Sequence, residues 1–152
     1  MVLEEYNKKR DFKKTSEPKG KIKKSIGKKF IYTIQKHRAS HLHYDLRLEM
    51  NGVLKSWAIP KEPPMEKRIK RLAVMTEDHP IGYEKFHGEI PKGEYGAGKV
   101  EIWDKGTYEL KTSNSKKIEV IIHGKKLKGN YVLVKTNYGK KPEKSWLFFK
   151  TS

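Results

Sequence analysis

Residues 42–59 read LHYDLRLEM-NG-VLKSWAI, two runs of alternating character joined by Asn51-Gly52. Asn-Gly supplies the two left-handed residues that a two-residue hairpin loop needs, so this is the strongest local hairpin signal a sequence can carry. A two-residue loop also fixes the register. Facing residues then sum to 103, so Asp45 meets Ala58, Leu46 meets Trp57, Arg47 meets Ser56 and Tyr44 meets Ile59. A slip by one residue would turn every side chain to the wrong face. The chain must therefore build itself around paired short strands.

The remaining pattern agrees. Short β-type runs occur at 30–37, 71–77, 99–104, 107–111, 117–123, 130–136 and 145–150, in addition to the hairpin strands 42–50 and 53–59. Their bounds are Gly, Pro, Asn and Asp, and Asp104-Lys105-Gly106 reads as a second turn. The expected fold is mainly β, a compact antiparallel β-barrel of about eight or nine short strands. Short helices are expected at 64–70 and 80–86. The segment PKGEYGAG at 91–98 contains Gly-x-x-Gly-x-Gly. Without a strand before it and a helix after it, this reads as a turn-and-bulge segment and not as a phosphate cradle.

At 152 residues the chain has the size of one domain. Its division is read as a basic lead-in over 1–29 and a β-barrel body over 30–152. The lead-in holds eleven Lys/Arg against four Asp/Glu. It reads either as a solvated tail or as an arm for a phosphate backbone, with Tyr6 and Phe12 as candidate anchors. The net charge of +17 favours a polyanion partner, nucleic acid before an acidic membrane surface. No apolar run approaches a membrane span, and the first residues have no apolar stretch of the kind a secretory signal needs. With no cysteine, disulfides, thiolate metal sites and a cysteine nucleophile are excluded. A cytoplasmic protein is expected.

The chemistry gathers in QKHRASHLHYDLRLEM. Successive strand side chains point to opposite faces, so His43, Asp45, Arg47 and Glu49 share one side while Leu42, Tyr44, Leu46 and Leu48 share the other. The apolar row packs a core. His43 and Asp45 can reach one cation together, and His37 can join them if the RASHL segment bends the chain back. Two imidazoles and a carboxylate suit Mn²⁺, Fe²⁺, Co²⁺ or Zn²⁺ better than Ca²⁺ or Mg²⁺. The Arg47 guanidinium matches phosphate geometry, and a cation beside it makes a clamp for a phosphodiester. The competing readings are a solvated edge strand and a dioxygenase-type iron site. In EDHPIGY, His79 is held extended by Pro80, and Tyr83 comes near it if a turn starts there. On composition alone His79 reads as structural more often than functional. His41 has the parity to join the row but could lie in the bend, and His87 and His123 have no evident partners.

QKHRASHLHYDLRLEMNGVLKSWAIPK and KRLAVMTEDHPIGYEKFHGEIPKGEYGAGKVEIWDKGTYE together resemble the 3′-phosphoesterase domain of bacterial DNA ligase D and its stand-alone archaeal relatives. His-x₅-His-x-Asp-x-Arg at 37–47, LKSWAIPK at 54–61, TEDHPIGY and GEYGAGKVEIWDKG arrive in order. The lead-in LEEYNKKRDFKKTSEPKG and the closing KLKGNYVLVKT and SWLFFK fit the same family. The resemblance implies a manganese-dependent enzyme, with Co²⁺ or Zn²⁺ as substitutes, that trims DNA 3′ ends in break repair. It implies removal of a 3′-terminal ribonucleoside by phosphodiester cleavage and then of the 3′-phosphate, leaving a 3′-hydroxyl. It implies His37, His43 and Asp45 as metal ligands, Arg47 and His79 on the scissile phosphate, and Tyr83 completing the pocket. Lys61 and Arg71 would hold flanking phosphates, with Gln35 and Glu77 in support. The implied partners are primer–template or duplex 3′ ends. A separate ligase, polymerase or end-binding protein is expected to act with it, since this sequence carries no such segment, and the setting would be a prokaryotic nucleoid. The rival from another class is a basic β-barrel that binds nucleic acid without chemistry.

Overall fold

The computed structural model describes Leu3, Tyr6, Asn7 and residues 29–152. The lead-in arm over 1–29, with Phe12 as an anchor, otherwise lies outside the described residues. Nine strands are present among them: β1 (Lys29–Arg38), β2 (Leu42–Met50), β3 (Val53–Ile59), β4 (Arg71–His79), β5 (Gly88–Ile90), β6 (Gly98–Ser113), β7 (Lys117–Gly124), β8 (Lys128–Lys135) and β9 (Ser145–Lys150). The ladder runs β1-β2-β3-β4-β9-β8-β7-β6 and closes through β1 on β6. Every pairing between these strands is antiparallel. Eight strands thus form the expected closed barrel, and β5 pairs with β6 outside it. Among the described residues no helix is long and apolar enough to cross a membrane.

The hairpin register is the one that the Asn-Gly turn dictates. Asp45 faces Ala58, Leu46 faces Trp57, Arg47 faces Ser56 and Tyr44 faces Ile59. Asn51 and Gly52 both take positive φ, at 53° and 81°. Inward parity then builds the barrel interior from Tyr32, Ile34, Leu46, Leu48, Trp57, Ile59, Tyr108, Ile122 and Phe148, all fully buried. The lumen is packed side chain against side chain, as eight-stranded barrels are, so it offers no through-channel.

Two expectations give way. The runs 99–104 and 107–111 are one sixteen-residue strand, β6, and Asp104-Lys105-Gly106 is not a turn. Asp104 is buried, and its carboxylate accepts the backbone N–H groups of Lys125, Lys126 and Leu127 and the Tyr32 hydroxyl. It anchors the β7–β8 turn, which is a different reason for an Asp beside a Gly. Trp103 is the extra residue of a bulge, because Ile34 faces Asp104 and Gln35 faces Ile102. The bulge reverses parity along β6. Tyr108 points into the barrel core, whereas Val100, at the same nominal parity, joins a second apolar cluster.

No helix forms over 64–70, and the helix expected over 80–86 is only a 3₁₀ turn at Tyr83–Lys85, with a second at Pro142–Lys144. Pro64, preceded by Pro63, opens the first stretch, and an isolated bridge from Lys67 to Lys150 crosses it. β5 went unanticipated, since three residues carry no period.

The second cluster explains where the site lies. Tyr6, Leu54, Tyr83, Phe86, Ile90 and Val100 pack together, with Ile31 and Ile81 against them. They form on the outward faces of β1–β3, under the 80–98 excursion. The polar row of β2 is therefore not a solvated edge. Asp45, Arg47 and Glu49 are buried, as are Leu46 and Leu48 on the other face. Both faces of one strand are covered, one by the lumen and one by the excursion.

Candidate active site

β1 and β2 set the first part of the geometry. Cross-strand pairing puts His37 opposite His43, Gln35 opposite Asp45 and Thr33 opposite Arg47. The 39–41 bend returns the chain at once, so His37 reaches the row of β2. His41 stays in that bend, exposed, and contributes its carbonyl.

One ring nitrogen of each histidine is committed to a backbone carbonyl. His37 Nε2 lies 2.6 Å from the Gly96 carbonyl, and His43 Nδ1 lies 3.0 Å from the His41 carbonyl. A carbonyl only accepts, so these nitrogens carry the protons in the neutral rings. The other two nitrogens are then bare lone pairs, and both face Asp45. His37 Nδ1 is 3.7 Å and His43 Nε2 is 3.3 Å from Asp45 Oδ2. One ligand atom from each of the three residues lies within 4.8 Å of the others. With both rings neutral, three electron-pair donors converge, and such a set asks for a cation. The outer carbonyls fix tautomer and ring direction, as the supporting contacts of metal-bound histidines do.

Arg47 lies beside them, almost fully buried. Its Nε donates to Gln35 Oε1, its Nη1 donates to Ser56 Oγ at 2.8 Å, and its Nη2 is 3.5 Å from Asp45 Oδ2. The guanidinium lies over the Tyr83 ring, 4.9 Å from the centroid. Gln35 Nε2 in turn donates to the Tyr83 and Phe86 carbonyls. Burial disfavours the Asp45 anion, but the Arg47 charge, together with hydrogen bonds from His37 and His43 when the facing nitrogens are protonated, outweighs it and holds the carboxyl well below the usual range. Burial also works against a charged His43, yet the hydrogen bond and charge of Asp45 and the His41 carbonyl raise its pKa above the ordinary imidazole value.

β4 supplies the opposite wall. Ser56 faces Thr76 but Leu54 faces His79, so one extra residue sits in β4. This bulge brings Thr76, Glu77 and His79 to the same cavity. The His79 Nδ1 lies 3.0 Å from the Glu77 carbonyl. A turn closed by the Tyr83 N–H on the Pro80 carbonyl brings the Tyr83 ring to 4.6 Å from that of His79. The resulting cavity, about 220 Å³, is lined by His37, His43, Asp45, Arg47, His79 and Tyr83 among others.

Seven of the residues expected at the site, Glu77 among them, thus line one cavity, with Gln35 behind Arg47. Lys61 and Arg71 are not brought there. Lys61 is exposed after β3, and Arg71 shares the parity of Ala73 and Met75 and donates to the Glu62 carbonyl. Thr76, Tyr95 and Gly96 line the cavity unforeseen. The glycine-rich segment is a set of left-handed turns at Gly93, Gly96 and Gly98, and its work is to deliver a carbonyl to His37. A Cβ on Gly98 would collide with the Arg38 carbonyl. His123 has a partner after all, Glu109 at 2.6 Å on the surface.

Residues 35–135 match the family model described as the DNA Ligase D 3′-phosphoesterase domain. The chain is 45% identical over 154 residues to the multifunctional non-homologous end joining protein LigD of Pseudomonas aeruginosa, covering 97% of this chain and 18% of that protein. It is 46% identical over 156 residues to the LigD of Mycolicibacterium smegmatis, covering 95% of this chain and 20% of the relative. The LigD of Mycobacterium tuberculosis is 45% identical over 139 residues, covering 89% and 18%. The chain spans about a fifth of the length of these relatives. It belongs to the DNA ligase D 3′-phosphoesterase domain family.

Proposed function

We propose that this member of the 3′-phosphoesterase family is a metal-dependent hydrolase that clears DNA 3′ ends for joining. It removes a 3′-terminal ribonucleoside by phosphodiester cleavage, and removes a 3′-phosphate to leave a 3′-hydroxyl. The observation that carries this reading is the convergence of His37 Nδ1, His43 Nε2 and a low-pKa Asp45 carboxylate beside a buried guanidinium.

His37, His43 and Asp45 would hold the divalent cation. Mn²⁺ is the proposed ion, and Co²⁺ or Zn²⁺ suit the same nitrogen and oxygen donors. When bound, it supplies Lewis acidity toward a phosphate oxygen and an acidified water. Arg47 presents Nη2 to the cavity while Gln35 and Ser56 hold its other nitrogens, so it meets a phosphate without first reorganising. Asp45 and Arg47 cancel in charge. A divalent cation therefore leaves the cavity net positive even with Glu77 in its lining, suited to an anionic phosphate. His79, bonded through Nδ1 to the Glu77 carbonyl, directs Nε2 toward a phosphate or a leaving oxygen. Tyr83 backs both His79 and Arg47. The surplus of Lys and Arg supplies DNA affinity, and Lys61 and Arg71 would act on flanking phosphates from outside the cavity. A ligase, polymerase or end-binding protein would act on the same ends.

A labelled primer–template carrying one 3′ ribonucleotide tests this. The primer shortens only with a divalent cation, and Asp45→Ala abolishes shortening while DNA binding persists. Binding with no product under Mn²⁺, Co²⁺ or Zn²⁺ would leave the chain a basic barrel that holds nucleic acid without chemistry.

A further inference from the structure

We infer that Tyr95 forms a nucleobase subsite at the rim of the cavity, where its ring stacks on a base that flanks the bound phosphate. The inference deepens the reading above and rests on a DNA 3′ end entering this cavity.

Single exposed apolar side chains are common on any surface, so exposure alone carries nothing. Place is what separates Tyr95 from the others. Leu42, Met65, Leu110 and Tyr138 are exposed too, but none of them lines the cavity, and Tyr95 does. Among the described residues of that lining, Tyr95 alone is exposed. The groups suited to a phosphate lie deep instead. Arg47 and His79 are 4% and 3% exposed, against 48% for Tyr95. A nucleotide seated with its phosphate on Arg47 therefore carries its sugar and base outward, toward the rim. Tyr83, buried against Arg47 and His79, has no surface to offer a base. Every base has a π-face, so a ring at the rim holds a nucleotide without regard to its sequence. That tolerance suits an enzyme that must accept ends of any sequence.

The backbone sets Tyr95 in a defined place. The Glu94 N–H donates to the Pro91 carbonyl and the Ala97 N–H to the Glu94 carbonyl, each at 3.1 Å, so two successive turns frame it. Gly93 and Gly96 take φ of 94° and 74°, which glycine adopts without strain. The next carbonyl in the chain, that of Gly96, lies on His37 Nε2. The position of the Tyr95 backbone is thus tied to one of the three proposed cation ligands. A platform framed in this way needs little ordering when a base arrives.

The full chain with Tyr95→Phe, Tyr95→Trp and Tyr95→Leu is the test. The substrates are DNA hairpins with a short 3′ overhang that ends in one ribonucleotide. One carries every base, one lacks the base of the terminal ribose, and one lacks the base of the sugar before it. With Mn²⁺, kcat/KM for cleavage of the complete substrate stays within about twofold of the parent in the Phe and Trp variants and falls about tenfold in Tyr95→Leu. The abasic substrate on which that fall disappears identifies the stacked base. A fall that persists in full on both abasic substrates reports a structural role and would overturn the inference, as would a Leu variant equal to the parent throughout. If the parent cleaves nothing under any cation, the enzymatic reading fails. A fluorescent purine analogue at the terminal or preceding position then decides on binding alone. Emission that dims with the metal-free parent and not with Tyr95→Leu upholds the subsite, and equal emission with both proteins refutes it.

Discussion

Gln35 joins Arg47 to the segment that covers it: its Oε1 accepts from Arg47 Nε while its Nε2 donates to the Tyr83 carbonyl at 2.7 Å and the Phe86 carbonyl at 3.0 Å. One buried amide ties the barrel wall, the guanidinium and the turn bearing Tyr83. Gln35→Leu leaves a buried N–H of Arg47 and two carbonyls without this partner. The expected cost is about 1–3 kcal/mol of stability, read from urea unfolding. Single-turnover cleavage falls as well, because Arg47 and Tyr83 lose their common tether. Unchanged unfolding and cleavage would show that the amide has no such role.

Cation binding links to folding through the same pocket. Mn²⁺ at a hundredfold excess over its dissociation constant adds about 2.7 kcal/mol of stability, or roughly 5–10 °C in Tm for a chain of this size. In Asp45→Asn this increment disappears. The variant also starts from a lower Tm, because Arg47 keeps its burial and loses its nearest carboxylate. Chelator treatment of the parent reverses the Mn²⁺ shift and leaves Asp45→Asn unaffected. Thermal melts with and without Mn²⁺ decide the matter.

The pH dependence has two opposite signs. Burial opposes the imidazolium of His43, but Asp45 and the His41 carbonyl outweigh it and raise the pKa above the ordinary 6.5. Cation binding needs the neutral ring, so affinity falls as pH drops through this raised value, with about one proton released per ion bound. In the cation-free protein the same shift adds stability below the unfolded pKa, and that stability is lost as pH rises through the folded one. Asp45, held far below the usual carboxylate range, contributes its own stability above the unfolded Asp value, so it is constant across this window. Calorimetry of Mn²⁺ binding in two buffers of different ionisation enthalpy reads the proton count. Absence of proton release near pH 6.5 would contradict the assignment.

Lys61 and Arg71 lie away from the cavity, and their neutralisation is expected to separate binding from chemistry. Lys61→Ala and Arg71→Ala each reduce the slope of log affinity against log salt by about one. The single-turnover rate at saturating DNA stays near that of the parent. A large fall in that rate would place these side chains on the reacting phosphate in the bound complex.

The sequence made the hairpin, the barrel and the row on β2 legible because each follows from local rules. Asn51-Gly52 admits one register, and alternation then assigns His43, Asp45 and Arg47 to one face. The turn at Pro80 that brings Tyr83 to His79 was legible for the same reason. Illegible were the features set by contacts between distant segments. Nothing local distinguishes Asp104 as an anchor for the β7–β8 turn from Asp104 as the start of a turn of its own. The bulges at Trp103 and in β4 shift parity by one, and only the partner strand reveals them; with them went Thr76 and the outward aim of Val100. Gly96 acts through its carbonyl, which every residue has. Burial on both faces of β2 also escaped notice, since a polar row normally means water.

A closed ring of eight strands has no terminal member. β1 and β2, which carry both imidazoles and the carboxylate, each lie between two hydrogen-bonded neighbours. Such strands cannot fray separately from the whole, so the spacing among the three donors persists until the barrel itself opens. Amide protons at 35, 37, 45 and 47 should accordingly exchange with solvent only by global unfolding. The donor trio is assembled by the ladder before any ion arrives, and the ion need not gather its own ligands.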